Sequence, residues 1–283
     1  MYIQFEPPQD LKHLVCFFYE MEHDPKDGPL QALLPSATEV NGWQYTGRWR
    51  LQMEDKNEKR DDLLPEFYMV GQQTVAYRLT AEQGVAGIFG AALQPGTIFQ
   101  LTGQPAHHFT NNPIDSTTFL KPELIVPFIR SYAKAKSTDE RMGILIRFYR
   151  QFNIPPSYAV YKEALQIIYQ QKGCILVKEL CEKLKINERY LQREFREKVG
   201  VSPLTYLKII RFNNVFTILS LSEEKQHLEP LAMLFMYYDV SHFNKTHKKY
   251  FGVSPSKLML DRFCLLQELI KKGPYLTHIQ EER

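Results

Sequence analysis

Along the first 120 residues the apolar positions come in short runs, Leu14 to Tyr19, Glu39 to Tyr45, Tyr68 to Val70 and Val85 to Leu93. Breakers separate them at Pro25, Gly28-Pro29, Pro35, Pro65 and Pro95-Gly96. Short runs rich in aromatic and apolar residues, punctuated by turn formers, predict strands, and their spacing suits a barrel or a sandwich. The segment Gln52 to Asp62, QMEDKNEKRDD, is so polar that it reads as a solvated loop between strands. From Lys121 the period becomes helical, in LIVPFIR, then RMGILIRFYRQF, then YAVYKEALQIIYQQ before Gly173. Pro155-Pro156 cannot continue a helix and separates the second of these from the third. The pattern predicts an α+β multidomain chain: a β-rich, barrel- or sandwich-like domain over 1–120, a helical connector over 121–158, and an all-α domain over 159–272. The connector helices either supply a dimer face or pack onto their own barrel.

The all-α part contains an internal repeat. Gly-Val-Ser-Pro occurs at Gly200 to Pro203 and again at Gly252 to Pro255, and the likeness extends upstream at an offset of 52 residues. The copies read NERYLQREFREKVGVSP and DVSHFNKTHKKYFGVSP, matching Asn187 with Asp239, Leu191 with Phe243, Gln192 with Asn244, Arg193 with Lys245, and Arg196 with Lys248. Asn187 and Asp239 are N-cap residues that can accept hydrogen bonds from first-turn amides, each opening a helix of about 11 residues. Gly200 and Gly252 close those helices as left-handed residues. Ser202-Pro203 and Ser254-Pro255 restart the chain, serine as cap and proline where no amide proton is required.

Ahead of the first copy, Val177, Leu180, Cys181 and Leu184 form one apolar face; ahead of the second, Leu231, Ala232 and Phe235 do the same. Short helix, tight turn, short basic helix is helix-turn-helix geometry, placed at about 177–198 and 229–250. Leu191 and Phe195, or Phe243 and His247, face inward. The outer face then carries Arg189, Gln192, Arg193 and Arg196 in one copy and Ser241, Asn244, Lys245 and Lys248 in the other. Arginine and lysine suit guanine O6 and N7, glutamine and asparagine suit adenine, and outer basic residues reach phosphates.

Charge sharpens this reading. Residues 1–155 hold 15 Lys+Arg against 18 Asp+Glu, and residues 156–283 hold 20 against 14, so a slightly acidic part precedes a basic one. Composition, 44% apolar and 24% charged, is that of a globular chain. No run of about 18 apolar residues and no basic-then-apolar leader is found, so a cytoplasmic protein without membrane partners is expected. Cys16, Cys174, Cys181 and Cys264 show no zinc or disulfide spacing and read mostly as reduced core residues.

The stretch from about Tyr161 to Arg262 resembles the DNA-binding domain of AraC-type transcriptional regulators. The family pattern A-x-x-x-G-F-x-D-x-S-H-F-x-R-x-F-K-K-x-x-G-x-S-P is met by Ala232 to Pro255, AMLFMYYDVSHFNKTHKKYFGVSP. The resemblance implies two helix-turn-helix subdomains joined by a long helix, Pro203 to about Ser220, with both recognition helices in adjacent major-groove segments of double-stranded DNA. It places Arg189, Gln192 and Arg193 at bases of one box and Ser241, Asn244 and Lys245 at bases of the other. Tyr190 and His242 contact backbone or base, and Lys248 and Lys249 contact phosphates. Three residues depart from the pattern. Met236 replaces the turn glycine, which demands a tolerated conformation or about 1 kcal/mol of left-handed strain. Lys245 replaces an arginine and loses its bidentate fork. His247 replaces an inward phenylalanine.

The stretch Gly87 to Asp115 resembles, more loosely, the sensor-like domain of some of these regulators, which implies a small-molecule effector or dimerisation; RNA polymerase is a further partner the family implies. No cofactor and no catalytic constellation is expected, since there is no P-loop and no G-x-S-x-G. Trp43, Tyr45 and Trp49 read as core or as the lining of an apolar pocket. An alternative is a metal-dependent, cupin-like enzyme with a helical DNA or protein tether, using His107-His108. Against it, adjacent residues on a strand point to opposite faces, and no third ligand stands nearby. A methyl-accepting repair protein would need a cysteine cluster where the N-terminal part has only Cys16.

Overall fold

Strands β1 (Tyr2–Phe5), β2 (Val15–His23), β3 (Gln31–Leu33), β4 (Glu39–Thr46), β5 (Trp49–Asp55), β6 (Glu58–Leu63), β7 (Phe67–Val70), β8 (Tyr77–Ala81), β9 (Ala86–Leu93) and β10 (Ile114–Asp115) form two antiparallel sheets. One has the order β1-β2-β9-β4-β7-β10, the other β3-β8-β5-β6. The structure is a computed structural model and describes residues 1–27, 31–33, 35–55, 58–156, 159–221, 228–251 and 254–255.

The six-stranded sheet is covered on both faces. On one, Phe17, Tyr19, Met21 and Ile88 pack with Trp49, Leu51, Met53, Tyr77 and Leu79 of the four-stranded sheet. On the other, Phe18, Trp43, Phe67 and Phe89 meet helices α2 (Pro122–Tyr132) and α3 (Thr138–Gln151) through Phe128, Tyr132, Leu145 and Phe148. All eight residues of β9, AGIFGAAL, are therefore buried, as a central strand with two covered faces requires. Trp43 and Trp49 fall in separate clusters and line no common pocket. The connector helices spend their apolar faces on this sheet. Arg141 of α3 clamps them there, bonding Glu20 at 3.0 Å and lying 3.7 Å over the Tyr45 ring.

Gln52 to Asp62 corrects the expected loop. It lies in the β5–β6 hairpin, registered from Arg50 opposite Leu63 to Asp55 opposite Glu58. Leu51 and Met53 point into the core, while Arg50 and Gln52 on the solvent face bond Asp61 at 3.0 and 3.1 Å. One buried face needs an apolar residue only at every second position, which a test of overall polarity misses.

Glu39 opens β4 with no exposed surface. Its two carboxylate oxygens accept from the amides of Gly96 and Ile98, each at 2.7 Å, at the start of helix α1 (Thr97–Thr102). Burial pushes this carboxyl up to about 8, against the pull of those amide bonds. The folded state thus keeps a proton that the unfolded chain releases near 4.5, so the contribution of Glu39 to stability is complete below 4.5 and is lost as pH rises to about 8. Glu39→Gln is expected to flatten the fall of stability across this window, read as urea midpoints at several pH values. An unchanged slope would assign the pH dependence to other groups.

The C-terminal helices are α4 (Val160–Gln170), α5 (Val177–Leu184), α6 (Glu188–Glu194), α7 (Pro203–Leu221), α8 (Leu228–Leu234) and α9 (Val240–Phe251), with a wider, π-wound turn over Phe195–Val199 continuing α6. They meet the N-terminal domain along a seam. Thr110 Oγ1 donates to the Gly200 carbonyl at 2.8 Å, Tyr206 donates to Ala37 at 2.9 Å, and Asn213 Nδ2 donates to Pro35 at 2.8 Å.

Candidate nucleic-acid interface

Two helix pairs, α5–α6 and α8–α9, are built by the same local chemistry. The Asn187 side chain accepts from the Tyr190 amide at 2.8 Å, and Asp239 accepts from the His242 amide at 2.6 Å, so both expected N-caps are formed. Ser202 caps α7 by accepting from the Thr205 amide at 3.1 Å, with Pro203 in the first turn. Gly200 closes the first recognition helix with φ 93°. Gly252 and the chain after Pro255, including Cys264, lie outside the described residues.

The turns inside each pair are also alike. Lys185 (φ 53°) and Met236 (φ 56°) adopt the left-handed conformation. The next amides, of Ile186 and Tyr237, reach back to the carbonyls of Cys181 and Ala232 at 3.1 and 2.9 Å. This is the Schellman arrangement, and of the two alternatives open for Met236 it realises the left-handed, strained one. The turns differ in length: one residue separates Lys185 from its N-cap, and two, Tyr237 and Tyr238, separate Met236 from Asp239. The first helices of the pairs are therefore related by 51 residues and the recognition helices by 52. Tyr237, the counterpart of Ile186, packs its ring 5.4 Å from His242 and 5.3 Å from Phe243, and the added residue, Tyr238, is exposed.

Each recognition helix sorts its residues as its period dictates. Leu191 and Phe195 are wholly buried in one, and Phe243 and His247 in the other, with the His247 ring among Phe212, Phe216 and Phe243. Arg189, Gln192, Arg193 and Arg196 are exposed, and so are Ser241, Lys245 and Lys248 at matching positions. Spacing of three, four and seven residues puts each set on one helical stripe. His242 and Lys249 are exposed beside the second stripe, and Tyr190 is half-buried beside the first. Gln192 Nε2 bonds Glu188 at 2.9 Å, and Arg193 lies 5.3 Å over the Tyr190 ring. Asn244 is half-buried, with its Oδ1 enclosed and unbonded among the described residues. Together with Lys245 in place of arginine, this leaves the second stripe fewer bidentate groups than the first.

His107-His108 lie on a short 3-10 turn, Ala106–Phe109, with rings 4.5 Å apart, which corrects the strand assumed for them. The turn packs against Phe195–Val199, and burial, then His108 and Arg196, hold His107 below the ordinary imidazole range. Among the described residues no three metal-ligating side chains lie together, and no helix is long and apolar enough to cross a membrane.

Residues 180–260 match the family described as a helix-turn-helix domain, the span in which both stripes and both turns lie. Residues 3–115 match a family described as a domain of unknown function (DUF6597). The raffinose operon transcriptional regulatory protein RafR of Pediococcus pentosaceus is 31% identical over 114 residues, which is 40% of this chain and 38% of that relative. The chain thus spans well under half the length of the curated relative it matches. Among solved structures, ToxT from Vibrio cholerae aligns over 85% of this chain and 97% of its own at 12% identity and a TM-score of 0.45. Hydroxypropylphosphonic acid epoxidase from S. wedmorenis aligns over 32% and 49%, at 18% identity and 0.27.

The side chains of the seam are nearly silent in the sequence. Its one visible signal is Asn213-Asn214, two amides inside an otherwise apolar helix whose faces are covered on most sides.

Proposed function

We propose that the chain is a sequence-specific transcription regulator that lays α6 and α9 into adjacent major-groove segments and is modulated through its N-terminal domain. The observation that carries this reading is the pair of stripes, Arg189-Gln192-Arg193-Arg196 and Ser241-Asn244-Lys245-Lys248, 52 residues apart and opposite buried cores. Buried apolar residues need no partner to explain them. Two matched polar stripes, on caps and turns of the same design, are what two successive groove contacts require.

In this reading Arg189, Gln192 and Arg193 read bases of one box, Ser241, Asn244 and Lys245 those of the other, and Tyr190, Arg196, His242, Lys248 and Lys249 position the domain. A small-molecule effector would act on the N-terminal domain; RNA polymerase and a second copy of the chain are further partners. The reading as a metal-dependent enzyme is the less supported one, because the His107-His108 turn packs against Phe195–Val199 and, among the described residues, no third metal-ligating side chain joins it.

The test separates base from phosphate contacts. Arg193→Ala is expected to cost about 1–3 kcal/mol and to relax preference at one position of the first box, measured against a panel of single-base variants. A loss equal for every sequence would move Arg193 to the backbone. Lys248→Ala is expected to weaken all sequences alike and to reduce the slope of log affinity against log salt by about 1. A changed sequence preference would contradict that role.

A further inference from the structure

We infer that Thr110, Tyr206 and Asn213 are positioning residues, through which the N-terminal domain holds the two recognition helices at one distance and angle. The inference rests on the proposal that both helices read DNA. The helix between the two readers, α7, has 19 residues. At 1.5 Å per residue it spans about 28 Å, near the 34 Å of one duplex turn, so any swing at its ends moves one reader off its groove.

The N-terminal domain grips this link at successive levels. Thr110 bonds Gly200 just before α7 begins, Tyr206 reaches Ala37 from its first turn, and Asn213 reaches Pro35 two turns further on. Residues seven apart share a helix face, so Tyr206 and Asn213 address the same loop, 35–37. That loop is built to receive them. Ala37 is fully buried with φ 60°, a costly conformation for alanine, and it turns its carbonyl toward the tyrosine. The Tyr169 hydroxyl lies 2.6 Å from that of Tyr206, and because Tyr206 gives its proton to Ala37, Tyr169 is the donor to Tyr206.

Apolar packing runs through the same seam to both readers. Ala37 belongs to the cluster of Leu191, Phe195 and Val199 in the first. The cluster between the two sheets continues through Phe212 and Phe216 to Phe235 and Phe243 in the second. Stability alone would favour an apolar residue at position 213. Asn213 has no exposed surface, and its Oδ1 is unbonded among the described residues, so its burial carries a cost that the single bond to Pro35 offsets in part. Buried polar bonds of this kind select one arrangement among several apolar ones. The exposed stripes remain clear of the seam's bonds, so the grip orients the readers and does not cover them. Two readers held on one body bind two boxes with a high effective concentration, which a loose seam forfeits.

The test uses the whole chain and three duplexes carrying selected boxes: both boxes, both boxes with one base pair inserted between them, and one box with the other scrambled. Thr110→Val keeps the shape and removes the hydroxyl; Tyr206→Phe does the same on α7. Each is expected to bind the two-box duplex about ten-fold more weakly, the loss one buried hydrogen bond can carry. Each should leave the one-box duplex unchanged and discriminate less against the inserted base pair. Thr110→Ser, which restores the hydroxyl, should behave as wild type. Equal losses on all three duplexes would mean general destabilisation, and unchanged or tighter two-box binding would mean that the seam does not position; either overturns the inference. If the wild-type chain itself does not prefer its boxes to random DNA, the DNA-reading proposal fails and the inference falls with it.

Discussion

Replacing Phe195 by alanine is expected to destabilise the C-terminal domain by about 3–5 kcal/mol, the cost of emptying a fully buried phenylalanine site. Phe195 has no exposed surface, sits edge-on to Tyr206 at 6.1 Å, and shares a cluster with Leu180, Leu191, Val199 and Ile210. Helices α5, α6 and α7 all contribute to this cluster, so the backbone around the emptied site is held by three elements, the first recognition helix among them. Against a typical domain stability of about 5–15 kcal/mol, the loss leaves little margin. It should appear as a lower urea midpoint and as loss of first-box binding at temperatures where the wild-type chain still binds. Phe195→Leu, which keeps most of the volume, should cost about 1–2 kcal/mol. A loss below about 1 kcal/mol for the alanine variant would mean that the ring is not packed as described.

The second large effect is expected at Gly200, where two physical demands coincide. Its φ of 93° is unfavourable for a residue with a side chain, at about 1–2 kcal/mol. A Cβ there would also come within 2.7 Å of Thr110 Oγ1 and 3.0 Å of the Ala106 carbonyl oxygen, so Thr110 or the turn after the recognition helix would have to shift by a few tenths of an ångström. Gly200→Ala is therefore expected to cost about 2–4 kcal/mol in all, the strain plus the overpacking. Gly103 separates the two contributions. It has φ 68°, and a methyl group added there would meet nothing within 4 Å, so Gly103→Ala reports backbone strain alone. The difference between the variants, read from denaturant unfolding, measures the close approach of the domains, and Thr110→Ala should recover part of it in the Gly200→Ala background. Equal costs for the two alanine variants would show that no close approach exists.

The repeat was legible because its information is local. Caps, left-handed turns and polar stripes are set by residues within a few positions of one another; Asn187, Asp239 and Gly200 take the conformations their chemistry favours, and the turn imposes its left-handed conformation on Met236. The strands at Val15–His23, Glu39–Thr46 and Ala86–Leu93 were legible for the same reason. Residues whose role depends on a distant partner were not. Thr110 and Gly200 are 90 positions apart, Tyr206 and Ala37 169, and Asn213 and Pro35 178, and no periodicity links them. The added residue in the second turn escaped notice because a single offset of 52 aligns the recognition helices, while the helices before them follow 51. The β5–β6 hairpin was hidden by the charges on its solvent face, and the His107-His108 turn by its place between strands and helices.

Whether one chain reads two boxes of DNA with α6 and α9 is tested most directly by selecting bound sequences from a random double-stranded pool, using the whole chain at one moderate salt concentration. The expected result is an asymmetric motif of two boxes with centres about 10 base pairs, one helical turn, apart. Enrichment of a single box, or of no sequence at all, would contradict it.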